Sequence, residues 1–309
     1  MAEEADALQP RRSGDGSFSL WSERFGEGFH CAEGALGEAR AKFVGPAELD
    51  RFPPGTELVV LECCVGTATN TAALIEAARV RGLRLRWWGL ELDPRPLALA
   101  LADGGFRSQW QPPTLALLEA LQRGSFAAGG LRGTLLWGDA RRTLAELLPS
   151  LAGRCQLVLM DAFSPGHCPE LWSQELLQRQ AALLAPQGRW LSYCSAAAVR
   201  RSLERAGLHL ATIQPRPAAA GAEAAGSLPW SGGTAASPSP LDPSPWLRPL
   251  TPMEREHLAT NAAHPYRDPG GEAPAEEILR RRRLEQAAAA AESTGAWRRR
   301  WQLSPGGRR

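Results

Sequence analysis

The sequence predicts an α/β fold built on a doubly wound, mostly parallel β-sheet. Between residues 58 and 213, short apolar runs that match strands alternate with segments whose apolar residues recur at helical spacing. The apolar runs are continuous, which indicates strands that are covered on both faces. Strict alternation of strand and helix is the pattern of a parallel sheet with helices on both sides.

The first half of this pattern begins after a Pro-Pro-Gly turn with the run Leu58–Leu61, which predicts a buried strand. Apolar residues at helical spacing then predict a helix over Thr69–Arg81. A second strand and helix follow at Leu85–Leu90 and Arg95–Ala102. Residues 104–131 have the character of an insertion, with a helix near Thr114–Gln122.

The second half repeats the alternation. The predicted strands are Thr134–Trp137, Gln156–Met160, Arg189–Cys194 and His209–Ile213. The predicted helices are Leu144–Leu151, Pro169–Leu184 and Ala196–Ala206. No obvious seventh strand follows, and Gly233–Ser237 is only a weak candidate for one.

Composition divides the chain into four parts. Residues 1–16 are polar and lack periodicity, which predicts a disordered tail. Residues 17–216 hold the alternating domain, and residues 217–246, dominated by Ala, Gly, Ser and Pro, predict a low-complexity linker. Residues 247–309 predict a helical basic extension, with helices at Pro252–His257 and Ala275–Glu292.

Charge and cysteine usage exclude several classes of protein. The net charge is only +2, and no apolar run is long enough for a membrane span or resembles a secretory signal. The six cysteines show neither a disulfide framework nor the spacing of a metal site, so we expect no metal. We expect a cytoplasmic protein with reduced thiols. Lys42 is the only lysine; a coding bias toward arginine is the simpler explanation, and arginine would also suit phosphate contacts and stacking on bases.

Acidic residues stand at the ends of the predicted strands, where an open parallel sheet binds its ligands. Glu62, Glu91 and Asp161 each end a strand, and Asp139 lies just past another. A strand, an acid, a small loop and a helix N-terminus follow one another from Glu62 to Asn70, so the backbone at Gly66 and Thr67 is able to approach a ligand.

Two kinds of nucleoside ligand fit such a loop. A dinucleotide site needs a glycine-rich loop against a pyrophosphate, and this loop has only Gly66. S-adenosylmethionine has no phosphate but carries two cationic groups, which the acid Glu62 favours. Glu91 suits two ribose hydroxyls in either case. Asp139 suits the adenine amino group, although it is equally suited to cap the helix that follows.

Asp161 and Phe163 lie in a turn that contains proline and glycine. A strand-end aspartate that only shapes the turn is the simpler interpretation. The functional one is an acid that faces the reacting centre, with an aromatic ring that packs on a planar substrate.

From about residue 17 to residue 213, the chain resembles the methyltransferase domain of the bacterial tRNA 5-methylaminomethyl-2-thiouridine biosynthesis proteins. The resemblance rests most strongly on a D-x-F-x-P…P-E-[LM]-W run and a following A-x-x-V-R-R-x-L run. The segments that carry it are Phe29–Cys31, Gly34–Arg40, Glu62–Asn70, Leu90–Pro94, Trp137–Asp139, Asp161–Pro165, Pro169–Trp172 and Ser195–Leu203.

The resemblance implies a Rossmann-like class I S-adenosylmethionine-dependent methyltransferase that modifies the wobble uridine of the tRNA anticodon. It implies methyl transfer to the amine of 5-aminomethyl-(2-thio)uridine, with Asp161 and Phe163 bordering the base. Phe29, His30, Arg200 and Arg201 would then contact the substrate. The chain shows no second nucleotide-binding pattern after residue 216, so we expect it to lack the family's oxidase domain and to depend on an upstream wobble-uridine aminomethylation enzyme.

Two departures leave other functions open. Cys64 and Ala68 stand where the family commonly has glycines. A non-catalytic tRNA-binding protein would explain them, and an aminopropyltransferase of the spermidine synthase type shares the strand-end aspartate; a dehydrogenase fits least. The arginines between residues 278 and 309 are candidates for phosphate binding, although such runs are also common on solvated helices.

Overall fold

The computed structural model describes residues 7–31, 34–214 and 231–303. The strands of this part of the chain are β1 Leu8–Arg12, β2 Phe18–Ser22, β3 Glu27–Gly28, β4 Glu57–Cys63, β5 Arg84–Glu91, β6 Ser125–Ala128, β7 Leu131–Trp137, β8 Cys155–Met160, β9 Leu184–Ser192, β10 His209–Ile213, β11 Gly233–Ser237 and β12 Leu247–Pro249.

The α-helices are α1 Ala35–Ala39, α2 Gly45–Ala47, α3 Thr69–Val80, α4 Arg95–Ala102, α5 Gly104–Ser108, α6 Pro112–Leu121, α7 Ala140–Leu151, α8 Gln174–Leu183, α9 Ala197–Arg205, α10 Pro252–His257, α11 Ala275–Ala288 and α12 Thr294–Arg300. A π-helical turn, Arg40–Val44, follows α1, and 3₁₀ turns lie at Leu49–Arg51, Pro169–Trp172 and Asn261–Ala263.

Within the described residues, nine strands form the main sheet in the order β12-β10-β11-β9-β8-β4-β5-β7-β6. The strands β4, β5, β7, β8 and β9 are parallel to their neighbours within this group. Helices cover both faces, and each face has its own apolar core. The predicted α/β class, with a mostly parallel Rossmann-like sheet, is confirmed.

Most predicted elements agree with the structure within a few residues, and the differences have local causes. The helix predicted over Pro169–Leu184 is two elements, because the Ser173 hydroxyl accepts a hydrogen bond from Leu176 and starts α8 after a 3₁₀ turn. The predicted insertion, 104–131, ends in a hairpin in which β6 pairs with β7 and closes one edge of the sheet.

The segment predicted as a linker contains a central strand. All five residues of β11 are buried, and the strand lies antiparallel between β9 and β10. Small side chains are required there: a Cβ on Gly233 would lie 2.2 Å from the Ser192 carbonyl oxygen. Small residues are thus favoured both in a crowded strand and in a flexible linker, and the sequence alone does not distinguish the two. The part of the linker over residues 217–230 lies outside the described residues.

The segment predicted as a disordered N-terminal tail is in part structured. Of residues 1–16, those in β1 pair with β2, and the side chain of Arg12 binds Asp103 at the end of α4 with a closest distance of 2.6 Å. The first six residues lie outside the described ranges. An exposed strand of this kind carries little apolar periodicity, because it buries almost none of its side chains.

The C-terminal segment packs onto the domain. The strand β12 pairs with β10 at the sheet edge, and Ile278 of α11 and Trp297 of α12 are buried. The helix α10 has the predicted bounds, whereas α11 ends four residues before Glu292. None of the helices in the described part of the chain has the length and apolar character required to span a membrane.

Candidate active site at the carboxyl edge of the sheet

The predicted strand-end acids meet at one edge of the sheet. Adjacent strands bring them together: the Cys64 N–H donates to the Leu90 carbonyl at 2.9 Å, and the Asp161 N–H donates to the Cys63 carbonyl at 3.2 Å. The loop after β4 and the first turn of α3 then contact two of the acids directly. Its Gly66 N–H donates to Glu91 at 2.7 Å, and the Asn70 amide donates to Asp161 at 2.7 Å.

Glu62 is fully buried and has one oxygen without a partner. Its Oε2 accepts hydrogen bonds from the Thr71 hydroxyl at 2.8 Å and the Trp87 indole at 2.9 Å. Its Oε1 is buried and has no hydrogen-bond partner among the described residues. Burial raises the pKa of Glu62 to about 7, although the two hydrogen bonds oppose the rise. An oxygen in this condition fits a cationic ligand group.

Glu91 is held by the backbone. Besides Gly66, the N–H groups of Leu92 and Asp93 donate to its carboxylate at 2.7 and 3.0 Å. Burial raises the pKa of Glu91, and these hydrogen bonds oppose the change. Glu91 therefore fixes the loop after β4 against the end of β5. Its Oε1 accepts from both Leu92 and Asp93, whereas Oε2 accepts only from Gly66 and keeps a lone pair for a hydroxyl donor.

The loop between β4 and α3 has an unusual backbone for its sequence. Cys64 and Ala68 adopt φ angles of 65° and 62°, in the left-handed region that favours glycine. Gly66 has φ 55°, and a Cβ at this position would lie 3.2 Å from the ring of Phe29. The Thr67 hydroxyl lies 2.8 Å from that of Thr69 and 3.4 Å from Nε2 of His30.

Asp161 lies at the centre of the site. Burial and the nearby charge of Glu38 raise the pKa of Asp161 to about 8, whereas the Asn70 amide and the charge of Lys42 oppose the rise. A carboxyl group with a pKa in this range is only partly ionised near neutral pH, and its ionised form is able to accept a proton in catalysis.

Three aromatic rings wall the site beside Asp161. Phe163 stacks on Phe25 with ring centroids 4.4 Å apart and meets Phe29 edge-on at 5.1 Å. The N-terminal sheet holds this arrangement, because Glu27 accepts a hydrogen bond from the Ser164 N–H at 2.7 Å. The sequence predicted Phe29 and Phe163 as site residues but missed Phe25 and Glu27, since only the tertiary structure brings the N-terminal sheet to the turn after β8.

His30 and the segment after it form the other side of the site. Burial lowers the pKa of His30, so the ring is neutral at physiological pH. Beyond it, Glu38 accepts a hydrogen bond from the Cys31 N–H at 2.7 Å and pairs with Lys42. The sequence pattern predicted no role for Glu38 or Lys42; the signal for Lys42 was its being the chain's only lysine.

The structure shows Asp139 as the cap of α7. Its Oδ1 accepts a hydrogen bond from the Arg141 N–H at 2.8 Å, and the Arg141 guanidinium pairs with both carboxylate oxygens. Burial would raise the pKa of Asp139, but the hydrogen bonds from Arg141 outweigh it and the pKa lies below its ordinary value. A contact with adenine remains a prediction.

The prediction that Arg200 binds substrate is wrong. Arg200 is 1% exposed and forms a salt bridge of 3.1 Å with the buried Glu254. It also donates to the Thr234 hydroxyl at 2.9 Å, so its charge holds β11 and α10 together instead of facing a ligand. Arg201 is half-exposed on the same helix and pairs with Glu204.

Nothing in the described ranges points to a metal centre. No group of three or more His, Cys, Asp or Glu side chains there is arranged to hold an ion. The cysteines are free thiols, and burial raises the pKa of Cys63 and Cys64 well above the ordinary value.

Known proteins resemble this chain both in sequence and in structure. A family model described as S-adenosyl-L-methionine-dependent methyltransferase matches residues 105–221. The tRNA 5-methylaminomethyl-2-thiouridine biosynthesis bifunctional protein of Chromobacterium violaceum is 32% identical over 200 residues, which are 60% of this chain and 30% of that protein. The corresponding protein of Pseudomonas paraeruginosa is 33% identical over 206 residues, 62% of this chain and 31% of that protein.

The crystal structure of MnmC2 from Aquifex aeolicus superposes with a TM-score of 0.74 and 25% identity, covering 92% of this chain and 86% of that one. Residues 105–221 thus match the S-adenosyl-L-methionine-dependent methyltransferases, and the fold agrees with that of MnmC2. This methyltransferase region is similar to one region of the curated bifunctional proteins, and the matched part spans about a third of their length.

Proposed function

We propose that this methyltransferase methylates the primary amine of 5-aminomethyl-(2-thio)uridine at the wobble position of tRNA. The names of its relatives in Chromobacterium and Pseudomonas support a tRNA substrate of this kind. The observation that carries the proposal is Asp161, a carboxyl group with a pKa of about 8 beside the aromatic wall of Phe25, Phe29 and Phe163. A planar base with an amine substituent suits this combination.

The described residues fit S-adenosylmethionine. The unpartnered Oε1 of Glu62 suits a cationic group, and no side chain caps the first N–H groups of α3, which follow the loop that contains Gly66 and Thr67. Oε2 of Glu91 suits a ribose hydroxyl, Asp139 suits the adenine, and Asn70 links the cofactor loop to Asp161. When bound, S-adenosylmethionine supplies an electrophilic methyl group.

The chain's own residues would position the acceptor. Phe163 and Phe29 would hold the base, and the Asp161 carboxylate would accept a hydrogen bond from the amine. The nucleophile must be the neutral amine, and after methylation the nitrogen carries a positive charge and an excess proton. Asp161 would take up that proton, so that most of the acceleration comes from orientation and proton transfer.

Binding of an anticodon also requires positive charge at the surface. Four exposed arginines, Arg280, Arg283, Arg298 and Arg299, form no ion pair among the described residues and are candidates for phosphate contacts. The helix α11, which carries two of them, packs against the turn Pro169–Trp172 near the site. Under this proposal an upstream enzyme provides the aminomethyl group, and the protein acts where tRNA matures, in the cytoplasm.

The experiment is transfer of labelled methyl from S-adenosylmethionine to bulk tRNA that lacks the modification, followed by nucleoside analysis. We expect label in 5-methylaminomethyl-(2-thio)uridine. In the Asp161→Asn variant, turnover should fall at least about 100-fold while cofactor affinity changes less than about threefold, because a proton acceptor is lost without a change of shape. An equal loss of both would contradict the role of Asp161.

The same assay separates the alternatives. An aminopropyltransferase would use decarboxylated S-adenosylmethionine and a polyamine, and would leave tRNA unlabelled. A non-catalytic tRNA-binding protein would retain tRNA without transferring label. Either result would overturn the proposed reaction.

A further inference from the structure

Lys42 is the only lysine in a chain with 35 lysine and arginine residues in total. It lies beside the active site and not on an open surface, and its side chain is 23% exposed. It also belongs to the π-helical turn Arg40–Val44, a rare conformation that is frequent at functional sites. Composition, position and local geometry therefore single out the same residue.

The contacts of Lys42 connect it to the turn that carries Asp161. Its Nζ lies 2.5 Å from Oε1 of Glu38 and 5.7 Å from the ring centroid of Tyr193. The Tyr193 hydroxyl donates to the carbonyl of Ala162 at 2.8 Å, next to Asp161 in the chain. The other oxygen of Glu38 accepts from the Cys31 N–H, so the carboxylate that holds Lys42 is itself fixed.

Lysine and arginine are not equivalent in such a place. A lysine ammonium is a compact point charge, whereas a guanidinium is a planar fork that needs more space. On the same turn, the arginine Arg40 is exposed to solvent, whereas the lysine Lys42 is partly buried on the side of the active site.

The charges around Asp161 explain what this cation does. The negative charges of Glu38 and Glu62 disfavour the ionised form of Asp161, whereas the positive charge of Lys42 favours it. Burial alone would lower the pKa of Lys42, but its pairing with Glu38 outweighs burial and the pKa lies above its ordinary value. Burial lowers the pKa of His30, so this ring supplies no second cation.

We propose that Lys42 is a positioning residue which, through its ion pair with Glu38, sets the charge of the site so that Asp161 is able to take up the proton of the acceptor amine near neutral pH. This inference rests on the proposed amine methylation. Lys42 contributes in two ways that act in the same direction. It favours the ionised form of Asp161, and it disfavours the cationic form of the amine before transfer.

The test compares pH profiles of methyl transfer between pH 6 and 9.5 for the wild type, Lys42→Met, Lys42→Arg and Arg40→Met. In Lys42→Met the acidic limb should move up by about one pH unit, with most of the activity recovered at the alkaline end. Lys42→Arg should move the limb back toward the wild-type position, because the charge is restored. Arg40→Met removes a cation from the exposed face of the same turn and should leave the profile unchanged.

Cofactor binding measured by calorimetry shows whether each variant is folded. A folded Lys42→Met enzyme with an unshifted limb, or with the same loss at every pH, would overturn the inference. If Lys42→Met does not fold, Glu38→Gln provides the opposite test, because it leaves Lys42 unneutralised and should move the acidic limb down. An unshifted or raised limb in that variant would contradict the proposal.

A second readout does not depend on turnover. Infrared titration of the protonated carboxylic acid band, assigned to Asp161 by its loss in Asp161→Asn, should show a higher midpoint in Lys42→Met than in the wild type. An equal midpoint would overturn the inference. Absence of methyl transfer in the wild type would instead count against the proposed function, and the two failures are therefore distinguishable.

Discussion

Glu62 shows how one buried side chain couples stability to ligand binding. Its pKa of about 7 means that the folded protein binds a proton more tightly at this position than the unfolded chain, whose carboxyl has a pKa near the ordinary 4.5. Between these two values the free energy of unfolding therefore falls as the pH rises. A bound cation lowers the pKa of Glu62 again, because it favours the ionised carboxylate over the protonated form.

The first prediction concerns Glu62→Gln. Cofactor affinity should fall by about 10- to 100-fold, which corresponds to the loss of a hydrogen bond to a charged group. In the protein without cofactor, the free energy of unfolding should fall less between pH 5 and 7 than it does in the wild type. Calorimetry and thermal unfolding at several pH values measure the two effects. Glu57→Gln, at the partly exposed start of the same strand, is the matched control and should change neither. Wild-type affinity in Glu62→Gln would show that the cation binds elsewhere.

The second prediction concerns Ala68, whose backbone lies in the left-handed region at φ 62°. Ala68→Gly should change the free energy of unfolding by no more than about 1 kcal/mol, because relief of strain offsets the lost methyl group and the greater freedom of the unfolded chain. Ala68→Val should destabilise by at least about 2 kcal/mol, since a β-branched residue is strongly disfavoured there.

Urea unfolding measures both variants. Ala77→Val, in the last turn of α3, provides a control with ordinary helical geometry and should cost less than about 1 kcal/mol. If valine is tolerated equally at positions 68 and 77, the backbone at Ala68 is not left-handed.

At the residue scale, the sequence predicted those site residues that follow a strand. Glu62, Glu91 and Asp161 were recognisable because strand ends in a parallel sheet share one edge. Arg200 was misassigned, because an arginine on an amphipathic helix gives no sign in the sequence of whether a distant glutamate buries it. Glu254, its partner, is 54 positions away.

At the scale of elements, the pair Arg200 and Glu254 holds the second half of the sheet to the C-terminal segment. Glu254 accepts hydrogen bonds from Arg200, from Arg248 and from Thr212 of β10. Burial would raise the pKa of Glu254, but the hydrogen bond from Arg248 and the charge of Arg200 lower it to about 2. Stability from this carboxylate is thus present above about pH 4.5 and is lost as the pH falls toward 2.

The third prediction is that Glu254→Gln destabilises the protein by about 3–5 kcal/mol, because it leaves the buried charge of Arg200 uncompensated. The double variant Arg200→Met with Glu254→Gln should recover part of the loss. Arg201→Met, one residue along the same helix but half-exposed, should change stability by less than about 0.5 kcal/mol. Additive losses in the double variant, measured in urea, would contradict the coupling.

Elements with a clear apolar period were predictable from the sequence. Strands that depend on pairing with a neighbouring strand were not. The strands β4 and β8 are apolar along most of their length because both faces are covered, and β5 alternates exposed and buried residues in its first half. The strand β11 is buried as well, but its small residues give no such signal, and β1 is exposed and buries almost no apolar side chain. In both cases the partner strand, and not the local sequence, decides the conformation.

At the scale of the whole molecule, the C-terminal arginines belong to a packed part of the protein. Ile278 and Trp297 are buried against the rest of the chain, so truncation at residue 275 would uncover apolar surface. Among the arginines, Arg300 pairs with two glutamates and Arg282 binds two backbone carbonyls, which leaves fewer of them available to phosphate than the sequence suggests.

The fourth prediction therefore uses substitutions and not truncation. Replacement of Arg280, Arg283, Arg298 and Arg299 by alanine should weaken tRNA binding and reduce the slope of log affinity against log salt by about 0.7–0.9 for each phosphate that is no longer neutralised. The control replaces four exposed arginines elsewhere, namely Arg84, Arg123, Arg132 and Arg154. Filter binding at several salt concentrations measures both. Equal slopes in the two variants would rule out a specific role for the C-terminal face.

The sequence by itself determined the α/β class, the order of the parallel strands along the chain and the acids at their carboxyl ends. These features depend on local periodicity and on the geometry common to all parallel sheets. The tertiary structure decided which distant groups meet: Phe25 with Phe163, Lys42 and Glu38 with the turn of Asp161, and Arg200 with Glu254. Contacts between residues far apart in the chain depend on how the elements pack, and local periodicity holds no information about that.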